Sequence, residues 1–184
     1  MENVILASQS PRRKELLHYL VEEFRIMPAD IDESVLAGED PAAYVLRMAQ
    51  EKGEKIAKDH RKALVIASDT IVVHEGQILG KPQNREDAFK MLQQMSGKTH
   101  HVYTGVALQQ GEKRRTALTE ASVSFYELTE AEINRYLDSG EYADKAGAYG
   151  IQGRASVFVK AVQGDYYSIV GFPVGAVNQM LKEF

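Results

Sequence analysis

The sequence predicts an α/β fold: a mixed, twisted β-sheet flanked by helices, set as two lobes around a cleft. Three observations predict it. Branched apolar runs at 4–7 and 63–74 suit strands buried on both faces. Amphipathic stretches with polar caps lie between such runs, as helical crossovers do. Two β-rich segments at 101–109 and 114–126, separated by QGEK, add a hairpin to the crossovers. A length of 184 residues is enough to bury a full core, and the chain is read as one domain over 1–184.

Each element follows from local chemistry. After the strand at 4–7, Ser10 and Pro11 form a helix start, because a serine side chain caps free N–H groups and proline suits the first helical position. That helix covers 11–19 and leads to an acidic loop, PADIDES, at 28–34. Asp40-Pro41 repeats the same start and opens a long helix to about residue 58, with Val45, Leu46, Ala49 and Ile56 as its apolar stripe. In ALVIASDTIVVHEGQILG at 63–80, Glu75-Gly76 predicts a tight turn into a short return strand. Residues 85–95 form a helix through Ala88, Leu92 and Met95, stopped by Gly97. Thr129 and Glu132 have capping-box spacing for a helix to Leu137. A glycine-spaced loop follows, then a strand pair at 156–162 and 166–170, then a last helix from Pro173.

Composition excludes several classes. A formal net charge of −4 disfavours a general binder of polymeric nucleic acid. There is no cysteine, which removes disulfides, thiol nucleophiles and Cys-based zinc sites. No window approaches the 18 apolar residues of a membrane span, and no leader pattern precedes the first strand, so a cytoplasmic protein without a membrane partner is expected.

The basic residues are local. Arg12, Arg13 and Lys14 fall in the first turn of a helix, whose N-terminus already carries about +0.5 charge, so each cation there costs about 0.3–1 kcal/mol. Free N–H groups, a positive dipole and two guanidinium forks together suit a multiply charged anion, phosphate above all. Asp69 interrupts the apolar strand VIASDTIVV. An unpaired buried carboxylate is too costly to persist, so it has hydrogen bonds, a cation or a metal, or stands at a strand break. It is either a carboxylate satisfied at a strand end or a catalytic or metal-facing one. Lys52, Lys81 in LGKPQ and Lys145 in DKAGAYGIQG are further cations, each a candidate ligand or a plain surface charge, with Lys81 aimed by Gly80 and Pro82. No Walker or G-x-G-x-x-G pattern is present. Gly147, Gly150 and Gly153 recur at every third position, allowing backbone approach to a ligand or a series of tight turns. Between them, Tyr149 either stacks on a base or packs in the core. The Gln152 amide either complements the edge of uracil or thymine or is simply solvated. Glu33 is solvent-facing or a second metal-facing carboxylate. The five histidines lack ligand spacing and read as surface or structural.

SPRRKELL, ASDTIVV, GKP, MSGKTHHVYTGVAL, DKAGAYGIQG and IVGFPV stand in an order and spacing that resembles the Maf family of nucleotide pyrophosphatases over nearly the whole chain. The resemblance implies a Maf/ITPase-like fold and a homodimeric cytoplasmic enzyme. Its reaction would be metal-dependent cleavage of a nucleoside triphosphate between the α and β phosphates, with Mg²⁺ or Mn²⁺ as the divalent cation. It implies Asp69 as proton acceptor and Arg12, Thr70 and Gln152 as positions linked to base choice. Arg13, Lys52, Lys81 and Lys145 are assigned to the phosphates, with Ser8, Ser10 and Tyr149 as further substrate contacts, and Glu33 with Asp69 is assigned to the metal. DTIV and GAYGIQG resemble the branch acting on dTTP and UTP, with removal of modified pyrimidine nucleotides as its sense. The alternatives are 7-methyl-GTP as substrate, or a nucleotide-sensing regulator of cell division and septum formation.

Overall fold

The computed structural model describes residues 3–184. Its elements run β1 (Val4–Leu6), α1 (Pro11–Leu17), β2 (Arg25–Ile26), α2 (Pro41–Ala57), β3 (Leu64–His74), β4 (Gln77–Leu79) and α3 (Arg85–Met95). They continue β5 (Thr99–Gln110), β6 (Lys113–Phe125), α4 (Glu130–Leu137), β7 (Val159–Gly164), α5 (Tyr166–Val170) and α6 (Val174–Leu181). The seven strands form one sheet in the order β2-β1-β3-β5-β6-β7, with β4 paired to β3. Pairing is parallel for β1 with β2 and β3, and antiparallel for β3 with β4 and β6 with β7, so the sheet is mixed as expected.

Helix starts follow the predicted caps. Ser10 accepts from the Arg13 backbone N–H at 3.4 Å, and Asp40 from those of Ala42 and Ala43 at 2.9 and 3.2 Å. Thr129 and Glu132 complete a reciprocal capping box. Glu75 and Gly76 both have positive φ and turn β3 back into β4, the geometry of a type I′ hairpin.

Of the predicted strand pair at 156–162 and 166–170, the first is present as β7 from Val159 onward and the second is a correction. Residues Arg154–Phe158 form a 3₁₀ turn, β7 begins at Val159 and pairs with β6, and 166–170 is the short helix α5. Tyr166, Tyr167, Ile169 and Val170 have the composition of a strand. Asp165 decides otherwise: its carboxylate accepts from the Tyr167 N–H and the Ser168 hydroxyl, both at 2.9 Å, and so starts a helical turn.

The chain divides into two compact units. Among the described residues, the first comprises 3–70, 104–119 and 171–184; the second comprises 71–103 and 120–170. In the first, Ile5, Val65 and Ala67 of the sheet pack with Ile56 and Ala57 of α2. In the second, Leu92, Met95, Ile133, Phe125, Phe158 and Tyr149 belong to one core cluster.

His100 is fully buried in that second core, with its Nε2 2.7 Å from the Tyr149 hydroxyl and its ring edge-on to Phe125. Burial, with smaller contributions from His74 and His101, pushes its pKa down to about 3. Unfolding restores an ordinary value near 6.5. The folded state therefore gains stability that is complete above pH 6.5 and is lost as pH falls towards 3, by up to about 1.4 kcal/mol per pH unit. Urea unfolding between pH 7 and pH 5 is expected to show this slope, and His100→Gln to flatten it; an unchanged slope in the variant would remove His100 as its source.

Candidate active site

Within the first unit, α1, α2, β3 and the loop before α2 bring charged side chains together. Along β3 every residue is buried except Asp69 and Thr70, which are half-buried in an otherwise closed strand. The strand runs unbroken through them, so Asp69 is not at a strand end. Its Oδ1 accepts from Lys52 Nζ at 2.7 Å, and the same ammonium lies 2.7 Å from Glu33 Oε1. Lys52 is 11% and Asp69 14% exposed at the side chain, so this is a largely buried pair in which either charge alone would be costly. Glu33 is more open, and α2 anchors its loop. Tyr44 donates to the Glu33 carbonyl at 2.8 Å and Arg47 to the Ser34 carbonyl at 3.0 Å. Arg47 in turn holds Glu39 through a two-pronged hydrogen bond that lowers the Glu39 pKa to about 2.

Arg13 is fixed as a plate. Its Nε donates to the Gly171 carbonyl at 3.0 Å, Nη1 to Ser8 Oγ at 3.3 Å and Nη2 to Thr70 Oγ1 at 3.4 Å. A guanidinium has five N–H groups, so one on each terminal nitrogen is left over. All three acceptors are neutral, and among the described residues no carboxylate forms an ion pair with it. Burial lowers its pKa, neighbouring Arg12 adds to this, and Asp69 and Glu33 oppose it. The charge is thus positioned but not neutralised, which is what an anion-binding group requires. Gly171 makes this possible: its φ of 117° lies where side chains are disfavoured, and its carbonyl also accepts from Ser68 Oγ at 3.2 Å.

Ser8 Oγ accepts from the Ser10 N–H at 3.2 Å as well as from Arg13, and Ser10 caps α1. Both serines therefore shape the loop, and the contacts around them include no base that would make either a nucleophile. The half-buried Arg12 makes no ion pair among the described residues.

The other expected site residues belong to the second unit. Lys81 and Gln152 are exposed. Lys145 Nζ donates to the Glu141 carbonyl at 2.6 Å and to Asp144 at 2.8 Å, and its stem fills the space that a Cβ on Gly150 would take. Gly147 is likewise closed by Val72 and Gly153 by Glu141, so the glycine series makes room for the chain's own side chains. Tyr149 is a correction. It is 6% exposed, edge-on to both Phe125 and His100, and a core residue with no face free for a base. The structural reading of the histidines holds for His74 and His100, which are buried. Gly171, Ser68, Tyr44 and Arg47 were not expected in the site. Two of them stand in motifs quoted above without an assigned role, Ser68 in ASDTIVV and Gly171 in IVGFPV.

An open α/β sheet that carries a guanidinium without an ion-pair partner and a lysine held by two carboxylates suits the class of phosphate-handling proteins. The fold resembles that of the Staphylococcus aureus Ham1 protein, with a TM-score of 0.56 over 99% of both chains at 13% identity. It also resembles a HAM1 protein from Coxiella burnetii, at 0.54 over the whole of both chains and 13% identity. At such identity the likeness concerns fold alone. The chain belongs to the family of Maf-like proteins, which matches it over residues 3–184. It is 47% identical to the dTTP/UTP pyrophosphatase of Bacillus cereus (strain G9842) over all 184 residues and 96% of that relative, and 46% identical to that of Bacillus cytotoxicus. The resemblance read from the motifs is thereby borne out.

Proposed function

We propose that this protein is a nucleoside triphosphate pyrophosphatase that cleaves dTTP and UTP to the monophosphate and pyrophosphate. The observation that carries this reading is the pairing of a neutrally held Arg13 with the Lys52–Asp69–Glu33 array, in a chain 47% identical to named dTTP/UTP pyrophosphatases. The phosphates lie against the N-terminus of α1, Arg12 and the free N–H groups of Arg13. Lys52 holds Asp69 by Oδ1, which leaves Oδ2 to take the proton of a water attacking phosphorus. The bond from the α phosphorus to the bridging oxygen breaks and pyrophosphate leaves. Arg12, Thr70 and Gln152 take part in base choice, as the family resemblance implies, and the enzyme acts as a homodimer in the cytoplasm.

A divalent ion belongs to this reading. Glu33 and Asp69 converge on Lys52 Nζ at 2.7 Å each, so the ammonium takes the position between them and a divalent ion would be held beside it by the oxygens that Lys52 leaves open. Their donors are hard carboxylate oxygens, the type Mg²⁺ and Mn²⁺ prefer. Among the described residues no cluster of three acidic or histidine ligands exists, so phosphate and water oxygens would complete the shell. When bound, the ion supplies charge neutralisation to the phosphate oxygens.

A screen of nucleoside triphosphates with Mg²⁺ or Mn²⁺ tests the proposal. Monophosphate and pyrophosphate are expected from dTTP and UTP, with CTP cleaved poorly and chelation stopping the reaction. Orthophosphate and nucleoside diphosphate as products would contradict it, and binding without turnover would favour a sensing role.

A further inference from the structure

Thr104 lies in β5 within the motif MSGKTHHVYTGVAL and is fully buried. Its Oγ1 is 3.0 Å from Thr70 Oγ1, on the side chain that also accepts from Arg13 Nη2 at 3.4 Å. A hydroxyl has one proton and two acceptor positions. With one acceptor position of Thr70 turned to Arg13, Thr104 takes either the Thr70 proton or its other acceptor position. Each arrangement fixes the Thr70 rotamer and the direction of what remains on its oxygen.

Thr104 is itself held in place from two sides. Its carbonyl accepts from Thr119 Oγ1 on β6 at 3.2 Å. The next residue, Gly105, packs so closely under α2 that an added Cβ would come 2.6 Å from the Val45 carbonyl oxygen. β5 therefore cannot shift outward without moving the helix that carries Lys52. A buried hydroxyl on such a clamped strand is a fixed reference point for groups on its neighbour β3.

We propose that Thr104 is a positioning residue: it orients the Thr70 hydroxyl, and through Thr70 the plane of the Arg13 guanidinium, for the nucleoside triphosphate. This rests on the pyrophosphatase reading. Thr104 does not touch substrate, and its effect passes through Thr70.

The test compares Thr104→Val, Thr104→Ser, Thr70→Val and the Thr70→Val/Thr104→Val double variant. Each is measured for kcat/KM with UTP, for UTP affinity by calorimetry under chelation, and for melting temperature. Thr104→Val is expected to lower kcat/KM by up to about tenfold, the scale of one hydrogen bond, and Thr104→Ser to restore it. The double variant is expected to be no worse than Thr70→Val alone, since residues acting in one chain of contacts are not additive. Losses that multiply in the double variant, an unaltered Thr104→Val, or a fall in melting temperature without change in kcat/KM would overturn the inference. A wild-type protein that fails to cleave UTP would overturn the pyrophosphatase reading instead. The same cycle read in UTP affinity would then decide the role of Thr104.

Discussion

Replacing Asp69 by asparagine is expected to lower kcat for UTP by at least about 10²-fold while leaving the protein folded. The substitution keeps the shape of the side chain and removes its basicity. The amide oxygen still accepts from Lys52, and Glu33, 2.7 Å from the same ammonium, still supplies a compensating charge. Without Glu33, neutralising Asp69 would leave a largely buried lysine unpaired, a change that typically costs several kcal/mol. Steady-state kinetics and a thermal melt on the same preparation check both halves. Near-normal turnover in a folded variant would make Asp69 only the structural partner of Lys52.

Replacing Arg13 by alanine is expected to weaken UTP binding by about tenfold to 10²-fold, the range of hydrogen bonds to a charged group. The unliganded protein should change little, by about 1 kcal/mol or less. Three hydrogen bonds to neutral acceptors are lost, two of them long, but Ser68 continues to satisfy the Gly171 carbonyl and a cation leaves the positive end of α1. Arg13→Lys should bind poorly too, because one ammonium cannot reproduce a planar fork held on three sides. Calorimetric titration with UTP and urea unfolding separate the two effects. Intact binding together with a large loss of stability would assign Arg13 to the packing of its own unit.

What was legible in the sequence was local. The starts of α1, α2 and α4 follow from Ser10, Asp40 and Thr129, whose side chains bond backbone groups two or three residues away. Cations in the first turn of α1 stand out in the sequence because they violate a local rule. Asp69 did the same inside β3. Signals carried by burial or by distant partners were not legible. Tyr149 reads equally as a base-stacking or a core residue until Phe125 and His100, distant from it in the chain, are seen packed edge-on against it. The acceptor that fixes Arg13 is a backbone carbonyl 158 residues away, and a carbonyl has no signature in an amino-acid sequence. The misread strand at 166–170 has β-rich composition in Tyr166, Tyr167, Ile169 and Val170, and only Asp165 marks the helix start.

The most direct test of the central claim is cleavage of UTP in ¹⁸O-labelled water, followed by mass analysis of both products. A water positioned by Asp69 for attack on the α phosphorus predicts one ¹⁸O in uridine monophosphate and none in pyrophosphate. Label in pyrophosphate would place attack on the β phosphorus, and labelled orthophosphate on the γ phosphorus; either result would contradict the account.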